Sequence, residues 1–125
     1  LTMMIPSAIK LHKRSKTLEI QFGHEIFQLE AEFLRVLSPS AEVRAHGNPI
    51  LQTGKLNVAI NGVEMVGQYA VKLIFDDGHD SGIYDWSYLY ELCHNKDSLW
   101  DDYLQALRDA GASRDPSVSV IRLFQ

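Results

Sequence analysis

The densest run of side chains able to do chemistry is Asp76-Asp77-Gly78-His79-Asp80-Ser81. An imidazole flanked by carboxylates could hold a metal ion. The same run reads as a hairpin turn whose aspartates bond their own backbone. A single histidine with sequence-adjacent acids seldom surrounds a metal, so the turn is the expectation. The only thiol, Cys93, precedes His94. Neighbours on a helix point about 100° apart, which places the pair poorly for Cys–His catalysis. Cys93 is therefore expected to be a buried structural residue. None of the five histidines has an acid two residues on, so the start of a two-histidine, one-carboxylate iron site is absent. There is no G-x-G-x-x-G loop and no nucleophile elbow. Gln52-Thr53-Gly54-Lys55 resembles only the end of a phosphate loop, without its first glycine or following helix. Arg35, Arg44, His46 and His79 could gather around residues 44–55, where arginines can clamp a carboxylate.

The elements that must position these residues come from a chain of 125 residues, a length that fits one domain. Hydrophobic residues make up 46% and charged residues 22%, a composition suited to a soluble globular domain with a core. One cysteine excludes an internal disulfide and any zinc site built mainly on thiolates. No apolar run reaches the roughly 20 residues that span a bilayer, and Leu1–Ala8 lacks the pattern of a secretory signal. No membrane association and a cytoplasmic location are expected. The net charge of −4 is uneven: residues 1–22 carry +3, from Lys10, Lys13, Arg14 and Lys16 against Glu19, leaving −7 for the rest. So acidic a body argues against broad nucleic-acid contact. The tip Lys13-Arg14-Ser15-Lys16 reads as a solvated turn.

Ile9 and Leu11, then Leu18, Ile20 and Phe22, alternate with polar residues on both sides of that tip, which predicts an antiparallel hairpin. A second turn at Gly23-His24 leads to a short strand through Ile26 to Leu29. Phe33, Leu34 and Leu37 share a helical face in a short helix near residues 30–37, ended by Pro39. Residues 44–55 read as a long loop. A strand over about 57–66 with a bulge at Gly62, a turn at Gly67-Gln68, and Tyr69, Val71, Leu73 and Phe75 on one face follow. His79–Tyr84 is expected to pair back. Asp85 can cap a helix burying Trp86, Leu89, Leu92 and Cys93. Asn95 can cap a second helix, ended by Gly111. Trp100 and Tyr103 are expected in the core. Tyr88 and Tyr90 fall off the inner stripe and are candidate exposed contacts. The sum is an α+β fold, mostly antiparallel strands packed with two consecutive C-terminal helices. Its parts are a flexible N-terminus (1–7), the domain (8–112) and an apolar tail (113–125).

The stretches Phe33-Leu34-Arg35-Val36-Leu37-Ser38-Pro39-Ser40-Ala41-Glu42-Val43-Arg44, Leu51-Gln52-Thr53-Gly54-Lys55 and Asp77-Gly78-His79-Asp80-Ser81-Gly82-Ile83-Tyr84-Asp85-Trp86 resemble the gamma-butyrobetaine hydroxylase N-terminal-like domain in its stand-alone bacterial form. The likeness runs over about residues 8–112. It implies a small α+β domain that performs no oxidation itself. In the hydroxylases such a domain precedes a 2-oxoglutarate oxygenase domain, and related domains are appended to P-loop iron–sulfur carriers. The family's zinc site uses three cysteines after a Leu-Arg pair, plus the histidine of the later turn. Carried across, the cysteine positions fall on Ser38, Ser40 and Val43, and the histidine on His79. All three thiolates are missing, and serine hydroxyls are poor substitutes for zinc. His79 is thus the vestige of a metal site, expected to hydrogen-bond near Ser38 or Ser40 in a domain that folds without metal.

These readings lead to a non-enzymatic accessory domain acting through a protein partner, an oxygenase or iron–sulfur protein being the class the resemblance implies. The candidate contact residues are Arg35, Arg44, His46, Tyr88 and Tyr90, and the candidate surfaces are the 44–55 loop, the acidic 76–102 region and the tail. No cofactor is expected. The alternatives are a metal-binding or iron–sulfur-related module using His79, with weak zinc or iron, and a small-molecule role around the arginines.

Overall fold

Leu18, Ile20 and Phe22 alternate with polar residues, and in the computed structural model, which describes residues 4–118, that alternation is a central strand with one fully buried face. The strand is β2 (Thr17–Phe22), flanked by β1 (Ala8–His12) and β3 (Glu25–Glu30) in an antiparallel sheet of order β1-β2-β3. Pairing of Ile9 with Ile20 and of Leu11 with Leu18 keeps the apolar residues on one face. A second antiparallel sheet, of order β4-β5-β6, comprises β4 (Ile60–Val66), β5 (Ala70–Phe75) and β6 (Ile83–Asp85). Its register shifts between Ile60 and Gly62, the site of the bulge that the sequence predicts.

Between the sheets in sequence lie α1 (Ala31–Val36) and α2 (Ala41–Arg44), followed by a 3₁₀ turn at Ala45–Gly47. After β6 come α3 (Trp86–His94) and α4 (Lys96–Ala110). Asp85 caps α3 by accepting the Tyr88 N–H at 2.8 Å. Gly111, at φ +62, closes α4 in the left-handed conformation that favours glycine. Asn95 precedes α4 but makes no side-chain cap bond. Leu18, Ile20, Phe33, Leu34, Leu73, Tyr84, Trp86 and Leu89 belong to one core joining both sheets with α1 and α3. Cys93 is buried there, its thiol pushed up to about 12 by burial, so it is held as a neutral apolar filler. Tyr103 is buried in a smaller cluster with Val36 and Leu107, while Trp100 is only partly buried.

Three local expectations are corrected. Tyr69 is exposed: it sits in the turn, and β5 begins one residue later with Ala70 buried. The return strand covers only Ile83–Asp85, because His79 belongs to the 76–79 turn, in which Phe75 N–H donates to the His79 carbonyl and His79 N–H donates to Asp77 Oδ1, and residues 80–82 form no strand. The 44–55 segment is less loop-like than its composition suggests. Its first residue ends α2, and Ala45 and His46 both adopt positive φ.

All six residues of α1 are buried, including Glu32 and Arg35. A buried charge is costly unless paired, and each finds a partner far along the chain. Arg114 grips Glu32 through two hydrogen bonds of 2.6 and 2.7 Å and stacks over Trp100. Backbone bonds from Gly54 N–H to the Ser113 carbonyl and from Leu56 N–H to the Arg114 carbonyl fasten that segment to residues 54–56. Val120, Ile121, Leu123 and Phe124 of the expected apolar tail lie outside the described residues, as do residues 1–3.

Candidate functional site

Leu37 ends α1, and the next residue, Ser38, turns its hydroxyl inward. The turn after β5 delivers His79 from the other side. His79 Nε2 lies 2.7 Å from Ser38 Oγ, both side chains buried. The contact joins residues 41 apart in sequence. His79 Nδ1 faces Glu42 of α2 at 3.5 Å, and Glu42 also accepts the Ser81 hydroxyl at 3.1 Å. With the ring proton on Nδ1 toward Glu42, Nε2 accepts the proton of the Ser38 hydroxyl. Burial pushes the His79 imidazole below its ordinary value, the nearby Arg35 adds to this, and Glu42 and Asp77 oppose it. The ring is therefore neutral near pH 7.

A second layer fixes the turn. Arg35 donates to Asp77 Oδ2 at 2.8 Å and to Gln52 Oε1 at 3.0 Å. Lys55 donates to the same Asp77 oxygen at 3.0 Å. Partial burial raises the Asp77 carboxyl, but the bonds from Lys55 and Arg35 outweigh it and hold the group below the usual carboxylate range. The loop residues Gln52 and Lys55, helix α1 and the 76–79 turn are thus tied together at one point. Tyr84 closes the floor: its ring is fully buried and its hydroxyl donates to the Leu34 carbonyl.

Of the positions where the resemblance places cysteines, Ser40 is buried, caps α2 by accepting the Val43 N–H, and donates its own N–H to Ser38 Oγ at 3.3 Å. Val43 is buried and apolar. The donor set implied for zinc is three soft thiolates and an imidazole. The set present is one imidazole, two hydroxyls already used in hydrogen bonds, and a valine, which does not fit zinc. Among the described residues no three His, Cys, Asp or Glu side chains gather in a metal-holding group.

The order Ser38–His79–Glu42 has the connectivity of an acyl-transfer triad, but Ser38 is only 2% exposed. Its oxygen is pressed against the Gly82 backbone, so that a Cβ at residue 82 would collide with it. It also accepts the Ser40 N–H. With Oγ buried and already engaged, the arrangement works as a structural clasp.

The candidate contact residues separate. Arg35 is buried in its ion pair. Arg44 and His46 are exposed, and Arg44 stacks on the Tyr88 ring with its guanidinium carbon 5.0 Å from the centroid. Tyr88 and Tyr90 are not free exposed rings. The Tyr88 hydroxyl donates to the Leu37 carbonyl at 2.6 Å, and Tyr90 packs edge-on against Phe22 at 5.2 Å. Their positions off the inner stripe of α3 still face α1 and the first sheet, because α3 is covered on more than one side. Sequence reasoning missed Glu42, Gln52, Lys55 and Gly82. Each stood in a stretch already quoted, but the contacts depend on long-range packing.

An α+β domain with two small antiparallel sheets and a histidine clasp between the end of its first helix and a later turn defines a structural class. The chain belongs to the gamma-butyrobetaine hydroxylase-like N-terminal family, whose model matches residues 9–90. A protein solved in solution by NMR is 63% identical, with a TM-score of 0.85, over 99% of this chain and 100% of that one. A second NMR structure is 49% identical, with a TM-score of 0.79, covering 98% of this chain and 94% of the other. A crystal structure of a protein of unknown function of the DUF971 family from Acidithiobacillus ferrooxidans is 36% identical, with a TM-score of 0.60, over 70% of this chain and 90% of that one. No curated protein matches the chain. Among the described residues no helix is long and apolar enough to cross a membrane.

Proposed function

We propose that this domain is a non-catalytic accessory module that acts by contact with another protein in the cytoplasm. The observation that carries the reading is a contrast between the polar centre and the surface. Around His79 the polar side chains of Ser38, Ser81, Arg35 and Asp77 are each spent on a neighbour, and Ser38 is buried. Elsewhere, large apolar side chains stand open. On the second sheet Met65 is 63% exposed, Ile83 on the opposite face is 45% exposed, and Tyr69 in the turn between β4 and β5 is 55% exposed. Strand β4, at the edge of that sheet, offers unpaired backbone groups beside Met65. An extended partner segment adding to such an edge is an established recognition mode. The family resemblance makes an oxygenase or an iron–sulfur protein the partner class to seek.

Quantitative affinity capture from a cell extract tests the reading, with the native chain compared against a Met65→Glu variant. A protein retained by the native chain and lost with the variant is the expected result. Reproducible absence of any retained protein overturns it. The competing reading, a metal-related module at His79, draws on the approach of the Glu42 carboxylate to Nδ1. Its donors would be oxygen-rich and suit iron better than zinc.

A further inference from the structure

Beside the clasp runs an open groove of about 450 Å³, with Val36 and Leu37 in its lining, the Pro49–Gln52 segment along one side, and Tyr103 and Ala106 of α4 along the other. That size falls within the range of small-molecule sites, roughly 300–1,000 Å³. Two tyrosines in the lining have already spent their hydroxyls. Tyr88 donates to the Leu37 carbonyl and Tyr103 to the Gln52 carbonyl, at 2.6 and 2.8 Å. The lining therefore presents apolar surface, and Ile50 on the rim is 57% exposed.

The charges on the rim select the ligand. Arg44 lines the groove, and its guanidinium lies over the face of Tyr88. Stacking occupies the face of a guanidinium and leaves the N–H edges able to receive a carboxylate side-on. Arg35 and Arg114 are bound to Asp77 and Glu32, whereas Arg44 forms no ion pair among the described residues. The α4 side carries Asp102, which would repel a second anion. We propose that the groove binds an apolar monocarboxylate, its chain on the Val36–Leu37 surface and its carboxylate on Arg44. This goes beyond the protein-contact reading, whose surface lies on the second sheet.

Decanoate is a suitable probe, with decanol as its neutral counterpart, titrated into the ¹⁵N-labelled chain. The expected result is saturable shifts centred on Leu37, Ile50, Leu51 and Ala106, with decanoate binding roughly tenfold or more tighter than decanol. Arg44→Gln should erase that preference and leave decanol binding unchanged, while Arg44→Lys retains part of it. Ala106→Phe, which fills the groove, should weaken both ligands. The proposal is overturned if neither ligand gives saturable shifts, if the shifts centre elsewhere, or if Arg44→Gln preserves the preference. Concentration-dependent shifts at the same residues without ligand would place a second copy of the chain in the groove and overturn it equally.

Discussion

Replacing Gly82 by alanine tests the closure of the clasp directly. The new Cβ would meet Ser38 Oγ below any ordinary contact distance, with Tyr84 Cε1 at 3.3 Å and Pro39 Cδ at 3.4 Å on its other sides. Ser38 can yield only by turning its hydroxyl away, which gives up the bond to His79. Overpacking costs about 1–3 kcal/mol, and a buried hydrogen bond adds about 1 kcal/mol. Gly82→Ala alone should therefore destabilise by about 2–4 kcal/mol in urea unfolding followed by tryptophan fluorescence. Ser38→Ala alone leaves His79 Nε2 without its partner and should cost about 1–3 kcal/mol. In the double variant the colliding oxygen is gone, so the two costs should sum to more than the pair by about 1 kcal/mol or more, well beyond the few tenths expected of independent sites. Additive costs, or a Gly82→Ala protein as stable as the parent, would refute the close approach of Gly82 to Ser38.

Other perturbations have definite signs. The folded state lowers the His79 pKa, so below its ordinary value of 6.5 the unfolded chain takes up a proton that the folded chain resists. Stability should fall as pH drops from 7.5 to 5, and His79→Gln should show a smaller loss in urea titrations over that window. The Asp77 contribution lies lower, disappearing as pH falls through and below its ordinary value of 3.8. Arg114→Ala strands the Glu32 carboxylate, whose side chain is 8% exposed. It should cost about 2–4 kcal/mol, with Glu32→Gln restoring part of the loss, as read by denaturation. Trp86, 4% exposed with its indole N–H on the Gln68 carbonyl, should cost about 3–5 kcal/mol when changed to alanine. A loss under about 1 kcal/mol would mean that the ring does not anchor α3.

What the sequence reveals follows the reach of each interaction. The alternation of Leu18, Ile20 and Phe22, the cap at Asp85 and the stop at Gly111 are local signals, and each lies where its period or chemistry puts it. The bulge near Gly62 is local too. Helix α2 escapes the pattern because four residues are too few to show a period, although Ser40 is a good cap. Arg35 looks like a contact residue until Asp77, 42 positions away, takes its charge inside. Glu32 and Arg114 lie 82 residues apart, and no local pattern announces their pairing. Tyr88 and Tyr90 mislead because a stripe on one helix identifies its most buried side and says nothing of neighbours packed against its flanks. Only the family resemblance links residues 38 and 79 in the sequence, since neither periodicity nor spacing connects them.

The central claim is that the His79 centre is a hydrogen-bonded clasp, stable without a metal. Elemental analysis of the protein purified without an affinity tag and without added chelator tests it most directly. The account predicts transition metal far below one equivalent, unchanged by His79→Ala. Stoichiometric zinc or iron that disappears with His79→Ala would contradict it.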